Sequence, residues 1–419
     1  MVFDRNIYLQ RLIDSRGNGM VKIVTGIRRC GKSFLLFTLF RDWLLHNGTD
    51  TNHIITFSFD DRRNKKYRNP DTLLDYIDAT IVEDKQTTYI ILDEIQLVDE
   101  FVEVMLSLMH KSNVEVYVSG SNSKFLSSDV VTEFRGRGWE IRVHPLSFAE
   151  YYAGMGGDKI EALRTYYAFG GLPQVALMQT RESKQAFLKE ILETTYIRDV
   201  IQHNDLRNEE GLRQVLQVLS SSIGSSTNTK RIENTFHTEE HLTIKDSTIN
   251  KYIAHLQEAF IIEAALRYDI KGRKYIGTQT KYYFEDAGIR NAILNFRQSD
   301  DASHLMENVI YNELRSRGYS VDVGQVDTWE KKIDGKYIRK NLEVDFVINR
   351  GDKRLYIQSA YSMPTIEKIH QEKRPLLHVP DGFQKIIVTD GYNITHYNED
   401  GILEIGLFDF LLDTHILEA

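Results

Sequence analysis

The sequence predicts an α/β protein whose amino-terminal third is a parallel sheet covered by helices on both faces. Three observations predict it. Apolar, strand-like runs at Val21–Val24, Ile54–Phe59, Tyr89–Leu92, Val114–Val118 and Trp139–Val143 alternate with segments of helical periodicity. Those segments include Leu35, Leu36, Leu39 and Phe40, then Phe101, Val104, Met105 and Leu108. The first run passes through Gly26-Ile27-Arg28-Arg29-Cys30-Gly31-Lys32-Ser33 into Phe34-Leu35-Leu36-Phe37, a glycine-bounded loop between strand and helix. The third run ends in two carboxylates, Asp93-Glu94.

The loop has the full G-x-x-x-x-G-K-S spacing of a P-loop. Its glycines let the backbone turn sharply, so that several N–H groups point at a phosphate. The helix that follows offers the positive end of its dipole to the same anion. Lys32 is expected to reach the β/γ-phosphates, and the Ser33 hydroxyl to complete the shell of Mg²⁺. The expected nucleotide contacts are Gly26, Arg28, Arg29, Cys30, Gly31, Lys32, Ser33 and Phe34, with ATP and Mg²⁺ as the ligands. An ordinary βα turn is the alternative.

The strand Tyr89-Ile90-Ile91-Leu92 ending in Asp93-Glu94 is the Walker B pattern. Asp93 can hold Mg²⁺ through its water shell, and Glu94 can orient or deprotonate the attacking water. Buried strands often end in acidic residues, so the pattern gains its meaning from the P-loop upstream. Val114-Glu115-Val116-Tyr117-Val118 is the next strand, and Ser119-Gly120-Ser121-Asn122-Ser123 follows its carboxyl end, where ligands of open α/β sheets sit. Asn122 is the preferred sensor of the γ-phosphate or the water, with Ser119 and Ser121 behind it; turn chemistry alone is the alternative. In Phe134-Arg135-Gly136-Arg137-Gly138-Trp139, Arg137 is the arginine expected to meet a phosphate of this or a neighbouring subunit, whereas Arg135 reads as a solvated side chain.

At 419 residues the chain is long enough for two or three domains, and 42% apolar with 27% charged residues is the balance of a globular protein. Six prolines and no low-complexity run argue against long linkers. The stretch Met1-Val2-Phe3-Asp4-Arg5 carries no charged-then-apolar signal, and no uncharged run of spanning length follows, so no membrane association is expected. Cys30, the only cysteine, excludes an intramolecular disulfide framework and a cysteine-rich zinc site, and the expected compartment is the cytoplasm. A net charge of −8 argues against a surface coated for nucleic acid while leaving room for a local basic face.

These motifs, followed by Pro145-Leu146-Ser147-Phe148-Ala149-Glu150-Tyr151, occur in the order found in a large prokaryotic family of predicted ATPases of the AAA+/STAND-like group, which the chain resembles. Phe169-Gly170-Gly171-Leu172-Pro173, Tyr196-Ile197-Arg198-Asp199 and Glu343-Val344-Asp345-Phe346 extend the resemblance over nearly the whole chain, into a carboxyl-terminal domain of unknown function. The resemblance implies an AAA+-type core, at residues 1–146, with strand order 5-1-4-3-2. It also implies a helical lid at 147–205, where aromatic and aliphatic residues recur at helical spacing.

Residues 206–285 read as a winged helix. Leu212, Val215, Leu216 and Leu219 fit a first helix and Thr229 to Phe236 a second. A third runs from the N-cap Asp246 through Ile249, Ile253 and Leu256. The strands Ile261–Tyr268 and Lys281–Phe284 flank the basic turn Lys271-Gly272-Arg273-Lys274. Ser247, Thr248, Asn250 and Lys251 suit base or phosphate contacts; protein–protein docking is the alternative use of such a unit. Residues 286–419 resemble the restriction-endonuclease fold, with Glu307 on a helix and Asp345 on a strand. Its acid-x-Lys pair is missing, since Gln358 is uncharged and Ala360 stands where lysine is needed, so a degenerate nuclease-like domain used for binding or assembly is expected.

The expected function is an ATPase acting on or with DNA, branched or recombination-type DNA included, with catalytic roles for Lys32, Glu94, Asn122 and Arg137 and metal contacts from Ser33 and Asp93. A homo-oligomer is expected. The alternatives are a nucleotide-switched scaffold whose carboxyl-terminal half grips a protein partner and, behind it, an ATP-gated, Mg²⁺-dependent nuclease.

Overall fold

The apolar runs of the first third become five strands: β1 (Val21–Thr25), β2 (Ile54–Ser58), β3 (Thr88–Asp93), β4 (Val114–Ser119) and β5 (Gly138–Arg142). In this computed structural model they form one all-parallel sheet in the order β2-β3-β4-β1-β5, the expected order read from the other edge. The structure describes residues 3–82, 84–120, 136–204, 206, 208–239, 244–297, 302–331, 336–391 and 394–418. The central strands β1 and β3 are buried along their whole length, which is why they read as unbroken apolar runs rather than alternating ones. Their side chains Ile23, Ile90 and Leu92 pack with Val104, Met105 and Leu108 of the helix Phe101–Met109. The helix after the P-loop starts at Lys32–Phe34, continues in π-helical turns over Leu35–Phe40 and ends as Arg41–His46.

The chain divides into two compact units, Met1–Pro145 with Glu258–Phe260, and Leu146–Gln257 with Ile261–Ala419. The second unit begins with the helices Phe148–Met155 and Lys159–Phe169. Ser147 and Glu150 close a capping box on the first of these. Phe169-Gly170-Gly171-Leu172-Pro173 then makes a tight joint. A β-carbon on Gly170, whose φ is +73°, would lie 2.0 Å from Asp286 Oδ1, and one on Gly288 would lie 2.1 Å from the Phe169 carbonyl oxygen. Asp286 accepts the Gly171 N–H at 2.7 Å and that of Ile289 at 3.1 Å, and so caps the helix Ala287–Ile293. The glycine pair is thus a packing requirement.

The helices Glu209–Ser221, Thr229–Glu239 and Asp246–Glu258 form where expected. The third starts one residue early for an Asp246 cap: the Lys245 carbonyl accepts the Ile249 N–H at 3.1 Å, which makes Asp246 the first helical residue. Next come β6 (Ile262–Asp269) and β7 (Lys274–Phe284), then β8 (Ser320–Lys331), β9 (Tyr337–Arg350), β10 (Lys353–Ala360), β11 (Gln384–Thr389), β12 (His396–Tyr397) and β13 (Leu403–Gly406). All eight belong to one mixed sheet ordered β12-β13-β11-β10-β9-β8-β6-β7. The two strands read as a wing therefore continue into the carboxyl-terminal sheet, and the expected boundary between 285 and 286 falls inside it. The physical reason is the parallel pairing of β6 with β8 at Arg267↔Val323 to Asp269↔Gln325, a contact that no local pattern announces.

Candidate nucleotide-binding site

β1 ends at Thr25 and the chain turns at Gly26, where φ is +135° and an added β-carbon would sit 2.0 Å from the Val143 carbonyl oxygen. Only glycine fits there. Gly31 (φ +104°) and Arg29 (φ +66°) complete the turn, so one non-glycine residue of the loop is held in the left-handed region. Cys30 is fully buried and its thiol donates to the Val143 carbonyl at 3.3 Å. It supports the loop from beneath, whereas Arg29, Ser33 and Phe34 are exposed and Arg28 is half-buried. Lys32 is buried, and its ammonium donates to the loop's own carbonyls, Gly26 O at 2.7 Å and Ile27 O at 3.1 Å.

Across the carboxyl end of the sheet, Asp93 closes β3 as a buried carboxylate. Burial pushes its pKa above the usual carboxylate range, and hydrogen bonds from Ser119 and Ser33 oppose that rise. Ser119, the last residue of β4, donates to Asp93 and accepts the Glu94 N–H at 3.4 Å. Glu94 is half-buried, sits at φ +53° and receives the Gln96 side-chain amide on its carboxylate. Lys32, Ser33, Asp93, Glu94 and Ser119 are thus contributed by the carboxyl ends of β1, β3 and β4, where the fold leaves a crevice.

Two neighbours of this group were missed in the sequence. Gln96 fixes the Glu94 carboxylate from two residues away, and the glutamine in Leu-Asp-Glu-Ile-Gln was the available signal. Asp60, just past β2, adds its field to that of Glu94 in raising Asp93. The rule that ligands meet strand carboxyl ends would have found it.

Arg137 lies elsewhere. Its carbonyl accepts the Val21 N–H at 2.9 Å, and β5 begins beside the start of β1, at Val21↔Gly138. Five residues of strand, about 16 Å at ~3.3 Å per residue, separate that end of the sheet from the P-loop. Parallel pairing with β1 thus puts Arg137 at the amino-terminal end of the strands, away from the P-loop of its own chain. Asn122, Ser121, Ser123 and Arg135 lie outside the described residues.

The donors at the crevice suit Mg²⁺, a hard cation bound through one or two protein oxygens with phosphate and water supplying the remainder. A serine hydroxyl hydrogen-bonded to a buried aspartate is such a pair.

The family described as AAA domain matches residues 18–152, and one described as a domain of unknown function matches 160–300. An uncharacterized protein of Haemophilus influenzae is 31% identical over 98% of this chain and 99% of its own length. The chain belongs to the family of that protein. It is a P-loop AAA-type family, as the five-stranded parallel sheet and the AAA-domain match agree. A second uncharacterized protein, from Methanocaldococcus jannaschii, is 26% identical over 95% of this chain and 86% of its own. A Walker-type ATPase of Pyrococcus abyssi superposes over 70% of this chain and 96% of its own with 15% identity and a TM-score of 0.48.

The second unit holds a separate cluster. Glu307, Asp345 and Gln358 do come together: the Gln358 side chain accepts the Asp345 N–H at 3.4 Å, and burial followed by the Glu307 charge raises Asp345 well above the usual carboxylate range. Between them stands Lys281 of β7, 4% exposed, whose ammonium is 2.8 Å from Glu307, 2.8 Å from Glu343 and 3.7 Å from Asp345. Burial opposes its charge, but the three carboxylates outweigh that and hold its pKa above the usual lysine range. Tyr283, on the same face of β7, donates to Glu307 at 2.6 Å. Lys281, from another strand, is thus packed into these carboxylates as a counter-ion. Ala360 is core. Among the described residues no group of three or more His, Cys, Asp or Glu is spaced to hold a metal. Nor is any helix among them long and apolar enough to cross a membrane.

Proposed function

We propose that the protein hydrolyses ATP to ADP and phosphate at the crevice beside Gly26–Ser33 and that this activity serves work on DNA. The observation that carries the ATPase reading is the convergence of Lys32, Ser33, Asp93, Glu94 and Ser119 at the carboxyl ends of adjacent strands. The loop's backbone N–H groups and Lys32 receive the phosphates, the lysine exchanging the Gly26 and Ile27 carbonyls for them. Ser33 and Asp93 would hold Mg²⁺, which would supply neutralisation of the charge that develops on the phosphates. Glu94, oriented by Gln96 and by its own N–H on Ser119, aligns a water and takes its proton. Asn122 acts as the sensor of the terminal phosphate. Arg137, exposed and remote from its own P-loop, serves the phosphate of a neighbouring copy in a homo-oligomer.

The test is Glu94→Gln. Turnover is expected to fall by about 10²-fold or more with nucleotide binding retained; unchanged turnover removes Glu94 from the role. For DNA, the support is the three-helix unit Glu209–Glu258 followed by the β6–β7 hairpin with its exposed basic turn. Salt-dependent binding of the full chain to single-stranded, duplex or branched DNA tests it. One observation favours the alternative of a nucleotide-switched scaffold with a protein partner: Ser247, Asn250, Lys251, Ala254 and Glu258, the exposed residues of the third helix, are neutral in sum. Nuclease activity is the weakest reading, because Lys281 already occupies the centre of the Glu307–Glu343–Asp345 carboxylates.

A further inference from the structure

Beyond Asp327 and Asn341, β8 and β9 run on as a two-stranded ribbon, paired at Thr328↔Lys340, Trp329↔Arg339, Glu330↔Ile338 and Lys331↔Tyr337. Directly opposed residues of an antiparallel pair share a face, and alternate residues along a strand do likewise. One face therefore carries Thr328, Lys340, Glu330 and Ile338. It is turned to the helix Ile366–Leu377, since Thr328 is buried and Glu330 pairs with Arg374 of that helix. The other face carries Trp329, Arg339, Lys331 and Tyr337, and all four are exposed. Trp329 is 65% and Tyr337 64% accessible, and the Arg339 side chain 60%.

Large aromatic rings so exposed, on two strands of one ribbon and alternating with cations, are not explained by packing within the chain. The charge around them is predominantly positive. The β6–β7 turn lies alongside, its Lys271 ammonium donating to the Asp327 carbonyl at 3.4 Å, and it adds exposed Arg273 and Lys274. The acidic groups of this edge are already engaged: Asp327 pairs with Arg339, and Asp269 accepts the Gly272 N–H at 2.8 Å. A strongly basic, aromatic strip thus stands on a chain whose net charge is −8.

We propose that this outward face of the β8–β9 ribbon, with the β6–β7 turn, binds single-stranded DNA. Trp329 and Tyr337, diagonal neighbours across the ribbon, take bases on their faces, and Lys331, Arg339 and the turn cations take the phosphates. Stacked rings favour an open strand over a duplex, whose bases present only edges. The inference rests on the DNA reading above and places the contact on the ribbon rather than on the nearly neutral helix Asp246–Glu258.

The experiment is fluorescence anisotropy of the full chain with a labelled oligo(dT) and with a duplex of equal length, across a salt series from about 50 mM. Trp329→Ala with Tyr337→Ala is expected to weaken oligo(dT) binding about tenfold or more per ring, while ATP turnover without DNA stays at the parent rate. Lys331→Ala with Arg339→Ala is expected to reduce the salt slope by about 1.4. Oligo(dT) should quench tryptophan emission in the parent and not in Trp329→Phe. If the parent binds and the aromatic double variant binds equally well, the ribbon assignment is overturned while the DNA reading stands. If the parent prefers the duplex and the double variant loses it, the commitment to an open strand is overturned. If the parent binds no DNA at low salt, the DNA reading itself fails.

Discussion

Removing the Lys281 ammonium would leave three carboxylates facing one another with Arg267, 3.7 Å from Glu343, as the remaining cation. In Lys281→Met the side chain keeps its length and apolar stem, so the change is electrostatic rather than a cavity. Two contacts at 2.8 Å and one at 3.7 Å are lost at a position that is 4% exposed. Breaking such a buried pair costs about 3–5 kcal/mol, and the partial exposure of Glu343 places the expectation at the lower end, about 3 kcal/mol. That is roughly a 150-fold shift in the unfolding equilibrium. The penalty must depend on pH, with a definite sign. Carboxylates left unpaired have folded-state pKa values above their unfolded ones, so the folded state binds more protons and stability falls as pH rises past about 4. Urea unfolding followed by circular dichroism at pH 5 and pH 8 should show the larger loss at pH 8, with m unchanged. Adding Glu307→Gln should recover part of the loss, because a neutral group no longer needs the lysine. A Lys281→Met protein within about 1 kcal/mol of the parent at pH 8, or one equally weakened at both pH values, would refute the counter-ion reasoning.

Two further outcomes follow from packing. Gly26→Ala places a β-carbon 2.0 Å from the Val143 carbonyl oxygen, so the loop must shift; ATP affinity measured by calorimetry should fall at least tenfold, and parent affinity would remove the constraint. Asp286, fully buried, has a carboxyl pushed up to about 6 by burial against its backbone hydrogen bonds. Its folded pKa exceeds the unfolded one, so its contribution to stability declines as pH rises from about 4 to about 6. Asp286→Asn should flatten that part of the stability–pH curve while lowering stability overall, and an unchanged slope would show that Asp286 does not titrate there.

What could be read in the sequence was what the chain keeps local. Gly26 to Ser33 is one contiguous loop, and Asp93-Glu94 ends one buried strand, so the parallel strands and the loop between the first strand and its helix were legible in spacing and periodicity. The strand order came with the family resemblance. Lys281 escaped because its partners, Glu307, Glu343 and Asp345, come from a helix and a strand further along the chain. Lys281 and Tyr283 at alternate positions of β7 were the only local trace. The outer halves of β8 and β9 are polar and exposed, a pattern that periodicity takes for loop. Arg137 was legible as a residue type but not as a place: only the parallel pairing of β5 with β1 fixes the edge on which it stands.

The Val143 carbonyl fills the space that a side chain on Gly26 would need and receives the Cys30 thiol as well. Two residues further on, the first compact unit ends at Pro145. The phosphate loop is therefore seated without clearance against the outgoing backbone of its own unit. A rotation of the Gly26 peptide has to be met by a displacement at Val143, as a pushrod meets its follower. Movement at the loop therefore falls first on the backbone at Val143.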